Sequence, residues 1–318
     1  MTPKKCLQYV FYGKIPERVP HFELVFQLPE AAFGKSWPTY EQFSKASVKE
    51  REFLLEDYLD IWELIIERYH WSAVQLHSSM YGFMQGEVIP RGRKRFGDKV
   101  MIYDFNGMGT FWMPTGEEMT DFYVKFYEEP QKAHEEAKIK MKKSIELARY
   151  QVDQGVDFIC INSDYGYNAG PFISPKMFSE FVTPYLTEIV EKMHEFGTKV
   201  ILHSDGDLRS ILDQLVSTGI DGYQSIDPQG NMDIAEVKRL YGDKLILMGN
   251  VQTSLLQEVD EQKIRRSVDY CMTHGKPNGK YIFSTSNCIF AGMPLESYHI
   301  MLDEYEKLCR YASISDVV

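Results

Sequence analysis

Lys199-Val200-Ile201-Leu202-His203-Ser204-Asp205-Gly206 is the stretch whose reading decides the fold. Val200 to Leu202 is a short apolar run rich in β-branched side chains, with Gly197 before it, and reads as a buried strand. It stops abruptly in His-Ser-Asp-Gly, and helical patterns flank it on both sides. That is the signature of one strand in a parallel α/β sheet, whose carboxyl ends face the site. His203 and Asp205 are two residues apart, so extended backbone points them the same way. Together they offer an imidazole nitrogen and a hard carboxylate, a pair suited to a divalent metal or a shared proton. The bland alternative is that Asp205 caps a helix beginning near Leu208 and His203 only hydrogen-bonds it.

Working outward, the strand–helix rhythm repeats. Strands are expected at His21–Phe26, Ala73–Leu76, Asp157–Ile161, 200–203, Gly222–Ile226, Leu245–Met248 and Tyr281–Ser284, separated by helical patterns. Repeated units of this kind predict right-handed crossovers and a parallel sheet. The 318 residues exceed an average domain but suit one α/β barrel of ~250 residues or more. The expected fold is therefore a distorted (β/α)8 TIM-type barrel, one domain over 1–318. Seven strands read cleanly, and the eighth is placed near Phe122–Phe126 or taken as lost. Residues 82–114 break the rhythm and read as a β-hairpin insertion over one mouth. Its cluster Arg91-Gly92-Arg93-Lys94-Arg95 is either a contact for an acidic partner or a solvated face.

A formal net charge of −11 argues against a nucleic-acid binder. The five cysteines are scattered without a C-x-x-C, which suits a reduced, cytoplasmic chain. No run approaches the ~18 apolar residues of a membrane span. No G-x-G-x-x-G, G-x-x-x-x-G-K-[ST] or G-x-S-x-G occurs, so dinucleotide, P-loop and α/β-hydrolase chemistry lack support. The strand ends instead gather Glu23, His77, Asp164, Tyr165, Tyr167, His203, Asp205, Gln224, Asp227, Asn250, Asn287 and Cys288. Glu23 is a carboxylate inside an apolar strand and needs a partner. The chain's 20 tyrosines and 4 tryptophans suit an aromatic pocket or ordinary core packing.

Asp164-Tyr-Gly-Tyr-Asn-Ala-Gly-Pro-Phe-Ile-Ser-Pro-Lys-Met-Phe178, His203-Ser-Asp-Gly206, Met248-Gly-Asn-Val251 and Phe283-Ser-Thr-Ser-Asn-Cys288 resemble, in this order, the uroporphyrinogen decarboxylase superfamily. The resemblance implies a distorted barrel with its site at the carboxyl ends. True decarboxylases of that superfamily grip propionates with an arginine-rich first-strand region. Here that region is Pro20-His-Phe-Glu-Leu-Val-Phe26, with no arginine beyond Arg18. The other branch holds corrinoid-dependent methyltransferases, whose thiol-methylating members bind zinc through His-x-Cys and a later Cys. His203 matches; Asp205 stands at the first Cys, and Asn287, or one residue on Cys288, at the later one. An oxygen-rich set suits an ether oxygen better than a thiolate.

The text as a whole looks most like the first methyltransferase of anaerobic aryl-ether (vanillate or veratrol) O-demethylases. The resemblance then implies a small aromatic methyl ether as substrate and the corrinoid (cobalamin) of a partner protein as acceptor. It implies His203, Asp205, Asp164 and Glu23 as catalytic groups and Tyr165, Tyr167, Asn250 and Gln224 as substrate contacts. Two zinc sets stay open: His203 with Asp205 and Cys288, or Glu41, Glu56 and His77, which match a ligand pattern E-x14-E-x20-H of related ether-cleaving members. Neither a nucleic acid nor a membrane is expected as partner. The rival readings are a uroporphyrinogen-type decarboxylase and a methyltransferase acting on a thiol or other acceptor.

Overall fold

The computed structural model describes residues 1–77, 87–107, 109–111 and 113–312. Nine strands occur among them: β1 (Ala73–Gln75), β2 (Met101–Gly107), β3 (Phe158–Asn162), β4 (Gly166–Tyr167), β5 (Gly170–Pro171), β6 (Lys199–Ser204), β7 (Gly222–Ser225), β8 (Ile246–Val251) and β9 (Tyr281–Thr285). Seven of them form one curled parallel sheet in the order β1-β2-β3-β6-β7-β8-β9, while β4 and β5 make a small antiparallel ribbon. Helices fill the crossovers, as parallel pairing demands. The fold is α/β, of the TIM-barrel type. No helix among the described residues is long and apolar enough to cross a membrane.

The segment Pro20–Phe26 closes the barrel. Phe283 N–H donates to Pro20 O at 2.9 Å on one side, and Ser72 N–H donates to His21 O at 2.8 Å on the other. Parallel bridges form at His21–Phe283 and Phe26–Ile289, with irregular backbone between. Glu23 explains the interruption. Thr285 N–H, at 2.9 Å, and its hydroxyl, at 2.7 Å, both donate to the Glu23 carboxylate. A side chain thus takes a donor that a regular ladder would give to backbone.

The expected hairpin insertion is not there. Val88–Phe96 is a helix, and Met101–Gly107 is a barrel strand paired in parallel with both β1 and β3. Residues 82–86, 108 and 112 of that expectation lie outside the described residues. β2 is the strand the sequence reading lacked, and Phe122–Phe126, offered for it, lies within the helix Met119–Glu128. The alternation of β2 misleads because Asp104 and Asn106 are polar yet fully buried. They face the helix Pro130–Gln154, where Gln151 Nε2 donates to Asp104 and Ser144 Oγ donates to Asn106. The basic cluster is ion-paired: Arg91 with Glu52 and Glu87, Arg95 with Asp60 and Glu63, and Arg93 with Asp157.

The helix Pro3–Phe11 closes the amino end of the barrel, with Phe11 packing on Phe158 at 5.1 Å between ring centroids. Phe158 stacks on Tyr103 at 4.8 Å, and Phe22 fills the remaining space beside both. The interior is therefore a packed aromatic core rather than a pore. That leaves the carboxyl end as the face where polar groups can meet a ligand.

Candidate active site at the carboxyl end of the barrel

Three glycines bring the loops after β3, β6 and β7 into backbone contact. A Cβ on Gly206 would lie 2.3 Å from Gly166 O, and one on Gly230 would lie 2.3 Å from the Gly206 carbonyl carbon. Gly206 also has φ +87°, a conformation that favours glycine. The same loops carry Asp164, Asp205 and Asp227. Asp227 Oδ2 accepts from Gly206 N–H at 3.2 Å, so the third aspartate fastens the loop of the second.

His203 stands one residue before the end of β6, is buried, and pairs in register with Asn162 and Gln224. Gln224 has no exposed surface. Its Nε2 donates to the carbonyls of Thr285 and Ser286, each at 3.2 Å. These carbonyls fix the amide orientation and turn Oε1 to His203 Nδ1, which must then carry the hydrogen. The free lone pair of the neutral ring is on Nε2. That atom faces Asp164 Oδ1 at 3.5 Å and Asp205 Oδ2 at 3.9 Å.

Those distances are longer than a good N–H···O bond of ~2.7–3.2 Å. They are close to the spacing of two ligands on one ion: donors ~2.1 Å from a tetrahedral centre lie about 3.4 Å apart. Donor atoms of Asp164, His203 and Asp205 all fall within 4.8 Å of one another. The residues therefore fit a divalent ion taking nitrogen and oxygen ligands, such as zinc. Gln224 supplies the outer hydrogen bond that such a histidine needs.

Asp205 receives hydrogen bonds from Ser225 Oγ at 2.5 Å and from Asn287 Nδ2. Burial pushes its carboxyl above the usual range, His203 and Ser225 oppose that, and Asp164 and Asp227 add to it. Its ionised form is thus short of positive charge. It is not a helix cap: Asp207 accepts from Arg209 N–H, and the next helix starts only at Leu212. Ser225 (φ 130°) and Ile226 (φ 52°) take positive φ at the end of β7. A β-branched residue in that region costs ~1–3 kcal/mol, held here by packing and by Asn250 Nδ2 donating to Ile226 O at 2.8 Å.

The other expected residues divide. Glu23 is fully buried, bonded to Thr285 and 3.2 Å from His21 Nε2, and stands in the barrel wall outside the three-residue cluster. Tyr165 packs in the core against Phe178. Asn250 is buried and accepts from Cys271 Sγ at 3.3 Å. Gln224 stands behind His203 rather than in the cleft. Tyr167 lines the cleft and donates to Pro114 O at 3.2 Å.

Cys288 is half-buried, and burial with nearby Asp205, Glu23 and Asp164 pushes its thiol up to about 12. It stays outside the cluster. The set Glu41, Glu56 and His77 is not brought together: Glu41 is exposed and pairs with Lys45, and Glu56 is exposed beside Arg91 and Arg95. His77 lies by Gln75 and Asp104. Ser225 and Gln224 as supports of the pair were missed because nothing in a strand pattern distinguishes a supporting polar residue from a contacting one.

The cluster opens into a cleft of about 560 Å³, bordered by Met113, Tyr167, Asn168 and Gln229 along with Asp164, Asp205 and Asp227. Among its described lining residues there is no lysine or arginine. Arg18 is engaged with Tyr305 and Glu306.

Comparison with known proteins gives a family and a fold. The family model for uroporphyrinogen decarboxylase (URO-D) matches residues 112–308. A chloroplastic uroporphyrinogen decarboxylase of Nicotiana tabacum is 31% identical over 152 residues, 47% of this chain and 36% of that protein. The uroporphyrinogen decarboxylase of Photobacterium profundum is 22% identical over 231 residues, 69% of this chain and 62% of that one. The matches thus span between about a third and somewhat under two thirds of these relatives' length. A solved methyltransferase from Methanosarcina mazei superposes with TM-score 0.74 at 16% identity, covering 96% of this chain and 99% of that one.

Proposed function

The chain belongs to the uroporphyrinogen decarboxylase (URO-D) family, and from that premise we propose that it moves the methyl group of an aryl methyl ether to the Co(I) corrinoid of a partner protein. The observation that carries this reading is the chemistry of the cleft: three aspartates, a buried histidine behind them, and no cation among the described lining residues. A polycarboxylate macrocycle needs counter-charges, which this lining lacks. A neutral ether does not. The Methanosarcina mazei methyltransferase is in keeping with the same reading.

An ether resists cleavage because its oxygen leaves as a poor anion. When the methyl carbon departs to the acceptor, the C–O electron pair stays on oxygen, giving a phenolate whose conjugate acid has a pKa of ~10. A divalent ion held by Asp164, His203 and Asp205 would supply Lewis acidity at that oxygen. Gln224 keeps the His203 hydrogen on Nδ1 and so keeps Nε2 toward the cleft. Ser225 and Asn287 hold the Asp205 carboxylate in place. Tyr167 borders the space a ring would take. Each ~1.4 kcal/mol of such stabilisation is tenfold in rate. The nucleophile comes with the acceptor, so the chain needs no Ser/His or Cys/His pair.

The test is visible spectroscopy of the purified chain with a Co(I) corrinoid and guaiacol- or veratrole-type ethers. Appearance of the methyl–cobalt spectrum is expected. Intact ethers together with decarboxylation of uroporphyrinogen would overturn the proposal in favour of the decarboxylase.

A further inference from the structure

The cleft at the carboxyl end has a charge as well as a shape. Asp164, Asp205 and Asp227 line it, and no lysine or arginine stands among its described lining residues. Residues 78–86, 108 and 112 contain no lysine, arginine or histidine. Along the chain the lysine or arginine nearest to a lining residue is Arg209, and it is engaged elsewhere: its Nε and Nη2 donate to Asp207 at 2.9 and 2.6 Å. Asp227 is 8% exposed and accepts from the backbone N–H groups of Gly206 and Gln229 at 3.2 and 2.9 Å. Those bonds fix the carboxylate without cancelling its charge.

His203, 6% exposed, supplies no positive charge either. Its hydrogen is on Nδ1, so Nε2 turns a lone pair toward Asp164 and Asp205, and no donor among the described residues lies within hydrogen-bond distance of it. A buried lone pair facing two carboxylates calls for a cation. A divalent ion there would cancel two of the three negative charges and leave one, so the lining stays negative loaded or empty. Met113 and Tyr167 are half-buried and keep carbon surface for a ring. The Tyr167 hydroxyl donates to Pro114 O at 3.2 Å, so its hydrogen is not free for an anion.

Resting on the methyl-transfer reading, we infer that the ether this cleft selects carries an ammonium group on its ring, and that the same ring bearing a carboxylate is rejected. An ammonium gains charge-assisted contacts with carboxylates that have no cation of their own. A carboxylate would give up its water for a lining that offers it only like charge. Vanillate, one of the ethers named above, carries the disfavoured charge, and a neutral guaiacol stands between the two.

Calorimetric titration of the whole chain, dialysed against a chelator, tests it with three matched ethers. Vanillylamine, vanillyl alcohol and vanillate share one hydroxy-methoxyphenyl ring and are positive, neutral and negative at neutral pH. At low salt the amine should bind roughly tenfold tighter than the alcohol and the carboxylate roughly tenfold weaker, the scale of one charge contact at a half-exposed site. Raised salt should narrow both gaps, and the order should persist with Zn(II) added. Gln229→Lys places a cation on the exposed rim and should close most of the gap between amine and carboxylate. No saturable binding of the amine, vanillate bound as tightly as the alcohol, or a gap untouched by Gln229→Lys would each overturn the inference. The three-ligand comparison on the unaltered chain decides the matter even if the variant fails to fold. Methyl transfer to a Co(I) corrinoid is read separately: the charge order without transfer from any of the three overturns the methyl-transfer reading and leaves the charge preference standing.

Discussion

Replacing Gly206 with alanine separates two costs that usually come together. Gly206 has φ +87°, and a Cβ there would sit 2.3 Å from Gly166 O and 2.8 Å from Tyr167 O. Gly219 has nearly the same conformation, φ +86°, but its Cβ would meet only Val190 Cγ1 at 3.8 Å. The left-handed conformation costs a non-glycine residue ~1–2 kcal/mol at either position. Only at 206 must backbone also move, which adds ~1–3 kcal/mol of overpacking. Gly219→Ala should therefore lose about 1–2 kcal/mol and Gly206→Ala about 2–5 kcal/mol. Urea unfolding with unchanged slope would measure both. Gly206→Ala should also spread Asp164 from Asp205, weakening Co(II) or Zn(II) binding where Gly219→Ala does not. Equal stability losses at the two positions, with equal metal binding, would refute the contact of the three glycine loops as the device that assembles the site.

Asp205→Asn keeps the shape but removes a charge, and should lower turnover roughly 10²–10⁴-fold with stability nearly unchanged; full methyl transfer by that variant would remove Asp205 from the chemistry. Gln224→Leu frees His203 Nδ1 from its partner and should weaken divalent-metal affinity ~10–100-fold, read by Co(II) absorbance; unaltered affinity would mean the ring needs no such orientation. Burial pulls His77 from 6.5 down to about 4. Both folded and unfolded states hold it neutral above 6.5, so it contributes nothing there. As pH falls toward 4 the unfolded chain takes the proton first, and stability drops by about 3 kcal/mol at full effect. Urea midpoints between pH 7 and 4 should fall less in His77→Asn, and parallel curves would contradict the burial argument.

The parallel barrel was legible because Val200–Leu202 and its counterparts are apolar on both faces and end in polar turns. β2 was hidden by Asp104 and Asn106, whose alternation imitates a solvated hairpin although Gln151 and Ser144 satisfy them inside. Their partners lie some forty residues away, beyond any local pattern. His203 and Asp205 were legible as a pair because spacing alone puts them on one side. Asp164, after β3, was expected among the catalytic groups too, but its place as a third donor beside His203 and Asp205 depends on the register Asn162–His203, which no local window contains. Glu41, Glu56 and His77 show the converse: spacing along the chain matched, but two of the three lie on solvated helix faces.

The Glu23–Thr285 seam also bears on how the chain is made. Its two residues are 262 positions apart, and the neighbouring contacts of Val19 with Cys309 and His21 with Phe283 are as distant. On its other side Ser72 can bond the Pro20–Phe26 segment early, but the β9 side has no partner until β9 is made. During synthesis that edge, with Phe22, Leu24 and Phe26, stays open until Tyr281–Thr285 has emerged. Barrel closure is then the slow, high-contact-order event, and the open edge of Pro20–Phe26 is what a chaperone or a protease meets meanwhile.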